Sequence, residues 1–222
     1  MFPRKCVGCG EGADAEYGYA FCKKCGREFE IETSELCPIC RRAQTECRCR
    51  PTYGSNSVEY IHLIPYGSAF SKKVIFSLKR KDKASPRKYL AKKMAELIEN
   101  ENDATVTFAP RSHGGVREYG FDQAFLLAKD AAKAAGFRFE KMFAHKKRSR
   151  EQKTLGLFER RENAKASYVL RRGANVCGKT VVIVDDVITS GSTTSVLCEL
   201  VRNAGADRIS VLTVAKTRGA EK

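Results

Sequence analysis

The stretch VVIVDDVITSGSTT, Val181 to Thr194, constrains the fold more than any other part of the chain. Four consecutive β-branched residues read as a short strand buried in a sheet. Two adjacent carboxylates, Asp185 and Asp186, follow it, and then a bed of small residues, Thr189, Ser190, Gly191, Ser192 and Thr193. A helical pattern runs from Ser192 to Ala204, with Gly205 as its stop. A loop that enters a helix this way offers free backbone amides and the positive end of the helix dipole, which favour a phosphate; the hydroxyls add donors. Gly191 lets the backbone approach closely. Two acids beside such a cradle repel a bare polyanion, and suit a ligand that also offers hydroxyls or brings a divalent cation. A sugar phosphate with a cis-diol fits, because carboxylates accept from hydroxyls while the loop holds the phosphate. The GxxxxGK[ST] order of a Walker loop is absent.

The residues around this run alternate in kind. PTYGSNSVEYIHLIPYGS reads as a turn-rich linker entering strand-like sequence. Ser85-Pro86 forms a cap and first-turn pair, after which Leu90, Met94, Leu97 and Ile98 recur at helical spacing. ATVTFAP, Ala104 to Pro110, predicts a buried strand. Asp122 is placed to cap a helix through AFLLAKDAAKAA that Gly136 ends, and RISVLTVA predicts a last strand. Alternating strands and helices predict an α/β fold, a parallel sheet covered by helices on both faces, with ligands at the carboxyl ends of the strands.

The first 49 residues are organised differently. Eight of the ten cysteines lie there, as Cys6-x-x-Cys9, Cys22-x-x-Cys25, Cys37-x-x-Cys40 and Cys47-x-Cys49. Each knuckle points two thiolates at one tetrahedral ion, so four knuckles predict two structural Zn²⁺ sites; iron–sulfur ligation is the chemical rival at this spacing. Sequential pairing, Cys6, Cys9, Cys22 and Cys25 and then Cys37, Cys40, Cys47 and Cys49, closes the shorter loops, against an interleaved alternative. Gly10 and Gly26 follow knuckles and would let amides turn back toward sulfur. A segment this small builds little core of its own, and zinc takes the core's place. The division expected is residues 1–52 as a small double zinc ribbon and 53–222 as the α/β domain. Cys177 and Cys198 stand apart and read as buried small apolar side chains.

The formal charge is +15 over 222 residues, or about +11 if eight thiolates hold two zinc ions. That balance suits nucleic acid or phosphorylated small molecules as partners. Arg41, Arg42, Arg48 and Arg50 decorate the second cysteine half and are available to phosphates. No apolar run approaches a membrane span, and MFPRKCVGCG lacks the apolar region of a signal peptide. The expectation is a cytoplasmic protein without membrane insertion.

VVIVDDVITSGST resembles the phosphoribosyl pyrophosphate (PRPP) motif of type I phosphoribosyltransferases. The whole chain resembles the ComF (competence protein F) family, which joins a cysteine-rich zinc module to a phosphoribosyltransferase-like domain. Three further stretches carry the likeness. FAPRSHGGVREYGFDQAFLLA retains Gly120, Phe121, Gln123 and Ala124 of an RGFNQA-like run, with Tyr119 and Asp122 in place of the usual Arg and Asn. Gln152, Leu155, Arg160 and Asn163 keep a Q-x2-L-x4-R-x2-N spacing, followed by the aromatic Tyr168. IFSLKRKD retains the base Lys79.

By this resemblance Asp185 and Asp186 would be the catalytic acids and would bind the ribose 2- and 3-hydroxyls. Thr189, Ser190, Gly191, Ser192 and Thr193 would hold the 5-phosphate. Arg111 and Ser112, with neighbouring backbone amides, would contact the diphosphate, and in a working transferase Mg²⁺ would bridge the diphosphate and the ribose hydroxyls. The basic segment HKKRSREQK, with Lys146, Lys147, Arg148 and Arg150, lies where relatives carry a loop that closes over PRPP, and the same bases suit the backbone of single-stranded nucleic acid. The resemblance implies a DNA-uptake protein of the cytosol that binds PRPP or ribose 5-phosphate, contacts single-stranded DNA and works with other competence proteins. Two alternatives stand beside it. One is an active phosphoribosyltransferase, for which the sequence shows no acceptor-binding segment; the other is a PRPP-responsive regulator that binds nucleic acid.

Overall fold

The computed structural model describes residues 4–34, 58–80, 84–101, 103–146 and 167–217. The elements in chain order are α1 (Lys23–Ser34), β1 (Val58–Tyr66), α2 (Ala69–Arg80), α3 (Ala84–Glu96), β2 (Thr105–Phe108), α4 (His113–Tyr119), α5 (Gln123–Ala135), β3 (Arg138–Phe139), β4 (Phe143–His145), β5 (Tyr168–Leu170), β6 (Thr180–Ile188), α6 (Ser192–Asn203) and β7 (Arg208–Thr217). Five strands form one parallel sheet in the order β1-β7-β6-β2-β3, while β4 and β5 pair antiparallel as a separate two-stranded unit.

The β-branched run sits at the centre, with Val184 opposite Phe108 on one side and Leu212 on the other. Successive side chains on a strand face opposite ways, and here both faces are buried. Val182 and Val184 pack with α2, α3 and α5 through Val74, Leu90, Met94, Leu127 and Ala128. Val181 and Ile183 pack with Leu197, Cys198 and Val201 of α6, and with Met142 and Phe143. This explains why the strand reads as a continuous apolar run instead of an alternation. Arg87 Nε donates to Asp130 Oδ2 at 2.7 Å between α3 and α5.

Several boundaries differ from the sequence expectation. β6 does not stop before the acids but continues through them to Ile188, because β7 keeps pairing as far as Ile188↔Lys216. α3 ends at Glu96; Ile98 lies in the turn beyond, yet is still buried. Ser85 lies inside α3 instead of preceding it, and its hydroxyl accepts from the Arg4 guanidinium at 2.8 Å. Cys198 is buried as expected, whereas Cys177 is exposed, since it occupies the turn before β6.

The first cysteine half is a single antiparallel bridge, Lys5↔Gly12, followed by α1, whose first turn carries the second knuckle. Its apolar residues do not form a separate cluster. Phe21 stacks on Phe29 at 5.2 Å and meets Phe70 of α2 and Tyr89 of α3 at 5.5 and 5.8 Å. Lys73 Nζ donates to the Gly8 carbonyl at 2.9 Å. Phe21→Ala is therefore expected to cost about 3–5 kcal/mol, as for a large buried aromatic. The loss should show as a lower urea midpoint with unchanged slope; an unchanged midpoint would mean that this packing contributes little.

Candidate functional site

The carboxyl ends of β2, β6 and β7 converge with the N-termini of α5 and α6 to form the candidate site. Asp185 and Asp186 lie within β6, so their side chains leave the strand on opposite faces. Asp186 is buried and turns toward α2, where its Oδ2 lies 3.5 Å from Lys79 Nζ. Asp185 lies near Tyr168 on β5, and its Oδ1 accepts from the Asp186 amide at 2.8 Å. Burial pushes the Asp185 carboxyl well above the ordinary carboxylate range, and the charge of Asp186 adds to the rise. The Asp186 amide and Lys79 offset this only in part, and Asp122 raises it further. A carboxyl in this condition disfavours standing ionised without a donor or cation against it.

The small-residue loop supplies the second component. Gly191 adopts φ 71°, in the left-handed region, and precedes α6 with no side chain capping the helix. The Ser192 amide donates to the Ser190 hydroxyl at 3.5 Å, while the cap residue, a glycine, offers no side chain to the amides that follow, an arrangement that can receive an anion. Ser190 and Ser192 hydroxyls pair at 3.0 Å, and Thr194 Oγ1 donates back to the Gly191 carbonyl. From β7, the Thr217 hydroxyl reaches the Ile188 and Thr189 carbonyls at 3.2 and 2.9 Å and ties down the loop's entry. Thr217 carries no motif, and its part emerges only from the pairing of β6 with β7.

The segment after β2 is held by Asp122. Its carboxylate caps α5 through the Phe125 amide and also accepts from the Arg111 amide at 2.9 Å. The Arg111 side chain crosses Gly115, where a Cβ would lie 2.7 Å from its Cγ and Cδ, and places its guanidinium over the Tyr119 ring at 4.6 Å. Tyr119 and Asp122, the two departures from the RGFNQA-like run, thus position Arg111. Ser112 caps α4, its Oγ accepting from the Gly115 amide.

Above the loop, Tyr168 lies near Thr193, and burial followed by the Asp185 charge pushes its hydroxyl up to about 12. His145 meets the Tyr168 ring edge-on at 4.9 Å. Lys146 is exposed, and its amide donates to the Ser167 carbonyl at 2.7 Å. Lys147, Arg148 and Arg150 lie outside the described residues, as do Gln152, Leu155, Arg160 and Asn163.

A second centre lies in the cysteine segment. The sulfurs of Cys6, Cys9, Cys22 and Cys25 all fall within 4.8 Å of one another, the grouping that sequential pairing predicts. Burial alone would raise Cys6, but hydrogen bonds from the backbone at Cys22, Cys9 and Gly8 outweigh it and bring the thiol to about 7. Burial pushes Cys25 well up, and its three cysteine neighbours add to this. Four sulfurs so placed cannot all ionise unless a cation joins them, so the donor set is compatible with tetrahedral zinc. Gly8 lets the knuckle close, since a Cβ there would lie 2.6 Å from Cys25 Sγ. Gly10 takes φ 87°, as a turning residue should; Gly26 instead lies in α1, where a Cβ would meet the Tyr17 ring at 2.3 Å. Cys37, Cys40, Cys47 and Cys49, with Arg41, Arg42, Arg48 and Arg50, lie outside the described residues.

Residues 122–222 match the family model of the phosphoribosyl transferase domain. With the parallel sheet and its flanking helices, this defines a type I phosphoribosyltransferase fold, preceded by a cysteine cluster compatible with a zinc module. Among curated proteins the chain is similar to the transcriptional regulator GfcR of Methanocella arvoryzae, 42% identical over 48 residues, which is 22% of this chain and 23% of that protein. Among solved structures it is similar to the glutamine PRPP amidotransferase of B. subtilis complexed with ADP and GMP, at 26% identity and a TM-score of 0.45, covering 64% of this chain and 30% of that one. It is also similar to an adenine phosphoribosyltransferase of Thermoanaerobacter pseudethanolicus, at 19% identity and a TM-score of 0.40, covering 60% and 82%. The chain thus spans about a quarter of the curated relative it matches. No helix among the described residues is long and apolar enough to cross a membrane.

Proposed function

We propose that the site at the end of β6 binds PRPP, in a protein of the ComF type that handles single-stranded DNA in the cytoplasm. The observation that carries the ligand is the juxtaposition of the acid pair, of which Asp186 is buried, with an α6 N-terminus whose cap residue is a glycine. In this reading Asp185 and Asp186 accept from the ribose 2- and 3-hydroxyls, and Thr189, Ser190, Gly191, Ser192 and Thr193 hold the 5-phosphate. Arg111, positioned by Asp122 and Tyr119, meets the diphosphate together with Ser112. Mg²⁺ would neutralise charge on the diphosphate. Lys146, Lys147, Arg148 and Arg150 serve the departing pyrophosphate or the DNA backbone, and the two cysteine sets hold structural zinc. The net charge of +15 favours the nucleic-acid partner.

Should a nucleophile be bound, the same acids would stabilise positive charge developing on the ribose as pyrophosphate leaves, which is the transferase reading. The similarity to a transcriptional regulator gives the PRPP-responsive, nucleic-acid-binding reading its own support.

The test is a calorimetric titration of zinc-loaded protein with PRPP and Mg²⁺, followed by anisotropy with a single-stranded oligonucleotide. Saturable PRPP uptake is expected, and its absence refutes the site. DNA affinity should fall with salt, with a logarithmic slope of about −0.7 per phosphate contacted; binding indifferent to salt excludes the DNA surface described. Pyrophosphate release on adding candidate acceptors separates the transferase from a binding protein.

A further inference from the structure

The acid pair has a counter-ion supplied by the chain itself. Charged groups near it include Asp122 and Lys79, with the Tyr168 hydroxyl alongside. Lys79 is the base that meets Asp186. It lies in the last turn of α2, and its backbone carbonyl accepts from Gln123 Nε2 at 3.2 Å. Gln123 is itself buried at the start of α5, next to Asp122. The ammonium is therefore delivered from an anchored point, and it stands 3.5 Å from an Asp186 oxygen that has no hydrogen-bond partner among the described residues. Asp185 Oδ1 is already engaged by the Asp186 amide. A divalent cation prefers several free oxygens around it, and here one oxygen is taken while another faces an ammonium.

We propose that Lys79 is the resident counter-ion of the acid pair, so that the diol end of a ribose phosphate binds without a divalent cation and metal is needed for the diphosphate alone. The proposal rests on the ribose-phosphate reading of the site. An ammonium has three donors, so Lys79 can pair with Asp186 while giving another hydrogen bond to a sugar oxygen. Asp185, relieved of part of its repulsion, then accepts from the adjacent hydroxyl.

The experiment uses the zinc-loaded full chain and ribose 5-phosphate, which carries the diol and phosphate but no diphosphate. Its affinity is measured after passage into magnesium-free buffer and again in excess Mg²⁺, for wild type, Lys79→Met and Lys79→Arg. Wild type should bind equally in both, within about threefold. Lys79→Met should lose about tenfold or more without the metal, as for a charge-assisted hydrogen bond, and recover in part with it. Lys79→Arg should stay near wild type. Melting curves and zinc content confirm that each variant is folded, and the wild-type comparison stands without them. A wild-type affinity that rises more than about tenfold with Mg²⁺ overturns the counter-ion role, as does Lys79→Met binding like wild type without metal. If neither ribose 5-phosphate nor PRPP binds under any condition, the ribose-phosphate reading itself falls. If PRPP binds and ribose 5-phosphate binds only with Mg²⁺, that reading stands and only the role of Lys79 is lost.

Discussion

Stripping the metal from Cys6, Cys9, Cys22 and Cys25, or replacing Cys25 with Ser, is expected to lower the melting temperature by roughly 10 °C or more. The expectation follows from where those sulfurs lie. Cys6 and Cys25 belong to the same apolar cluster as Phe21, Phe29, Phe70 and Tyr89, and that cluster continues into the face of the sheet. Without the ion, four crowded sulfurs must stay protonated or repel, and the knuckles that present Phe21 to α2 lose their constraint. Damage should therefore spread beyond residue 34 into α2 and α3. Hydrogen exchange on loaded and chelated protein would map it. Equal melting temperatures with and without bound metal would show that the packing alone holds the segment.

The second large effect concerns the acid pair, where the two acids are expected to differ. Asp185→Asn and Asp186→Asn should each weaken PRPP binding by about 100-fold or more, since each removes an ionic acceptor from a buried diol. Their effects on the ligand-free protein should differ. The folded-state pKa of Asp185 is raised, chiefly by burial and then by Asp186. The folded state therefore holds that proton more tightly than the unfolded state does. The resulting stability is fully present below the unfolded carboxylate value of about 4 and is lost as pH rises through the raised folded value. Asp185→Asn should raise the melting temperature at neutral pH, and its advantage should vanish in acid. Asp186→Asn removes the partner of Lys79 and should give no such gain. Loss of binding without the neutral-pH stabilisation by Asp185→Asn would mean that the carboxylate already has a partner that relieves it.

Much of this site can be read in the sequence because it is local. β6, the small-residue loop and α6 follow one another directly, so the acids, the left-handed Gly191 and the glycine-led helix start need no long-range information. Asp122 and Gly136 are legible as caps for the same reason. What lies across the sheet is not legible. Thr217 supports the loop because β7 keeps pace with β6 to Ile188, and no residue near Thr217 announces it. The pairing of Lys79 with Asp186 spans more than a hundred residues, and the likeness of IFSLKRKD to the ComF family flagged the base without a partner. The end of β6 is misjudged because charge resembles a strand's end, while the ladder with β7 overrides it. Gly26 is misassigned to turning, although its reason is the Tyr17 ring lying against it.

One helix has ends in both halves of the molecule. α2 begins at the aromatic cluster of the cysteine segment, where Phe70 meets Phe21 and Lys73 reaches Gly8, and it ends with Lys79 beside Asp186. From Phe70 to Lys79 the helix covers about 14 Å, so it acts as a strut with one foot on the cysteine cluster and the other on the acid pair. Under the proposal that the cysteines hold zinc and the acids a ribose phosphate, zinc supply would set how many copies in a cell are competent to bind their ligand, and starvation for the ion would silence the distant pocket while leaving every residue that touches the ligand unaltered.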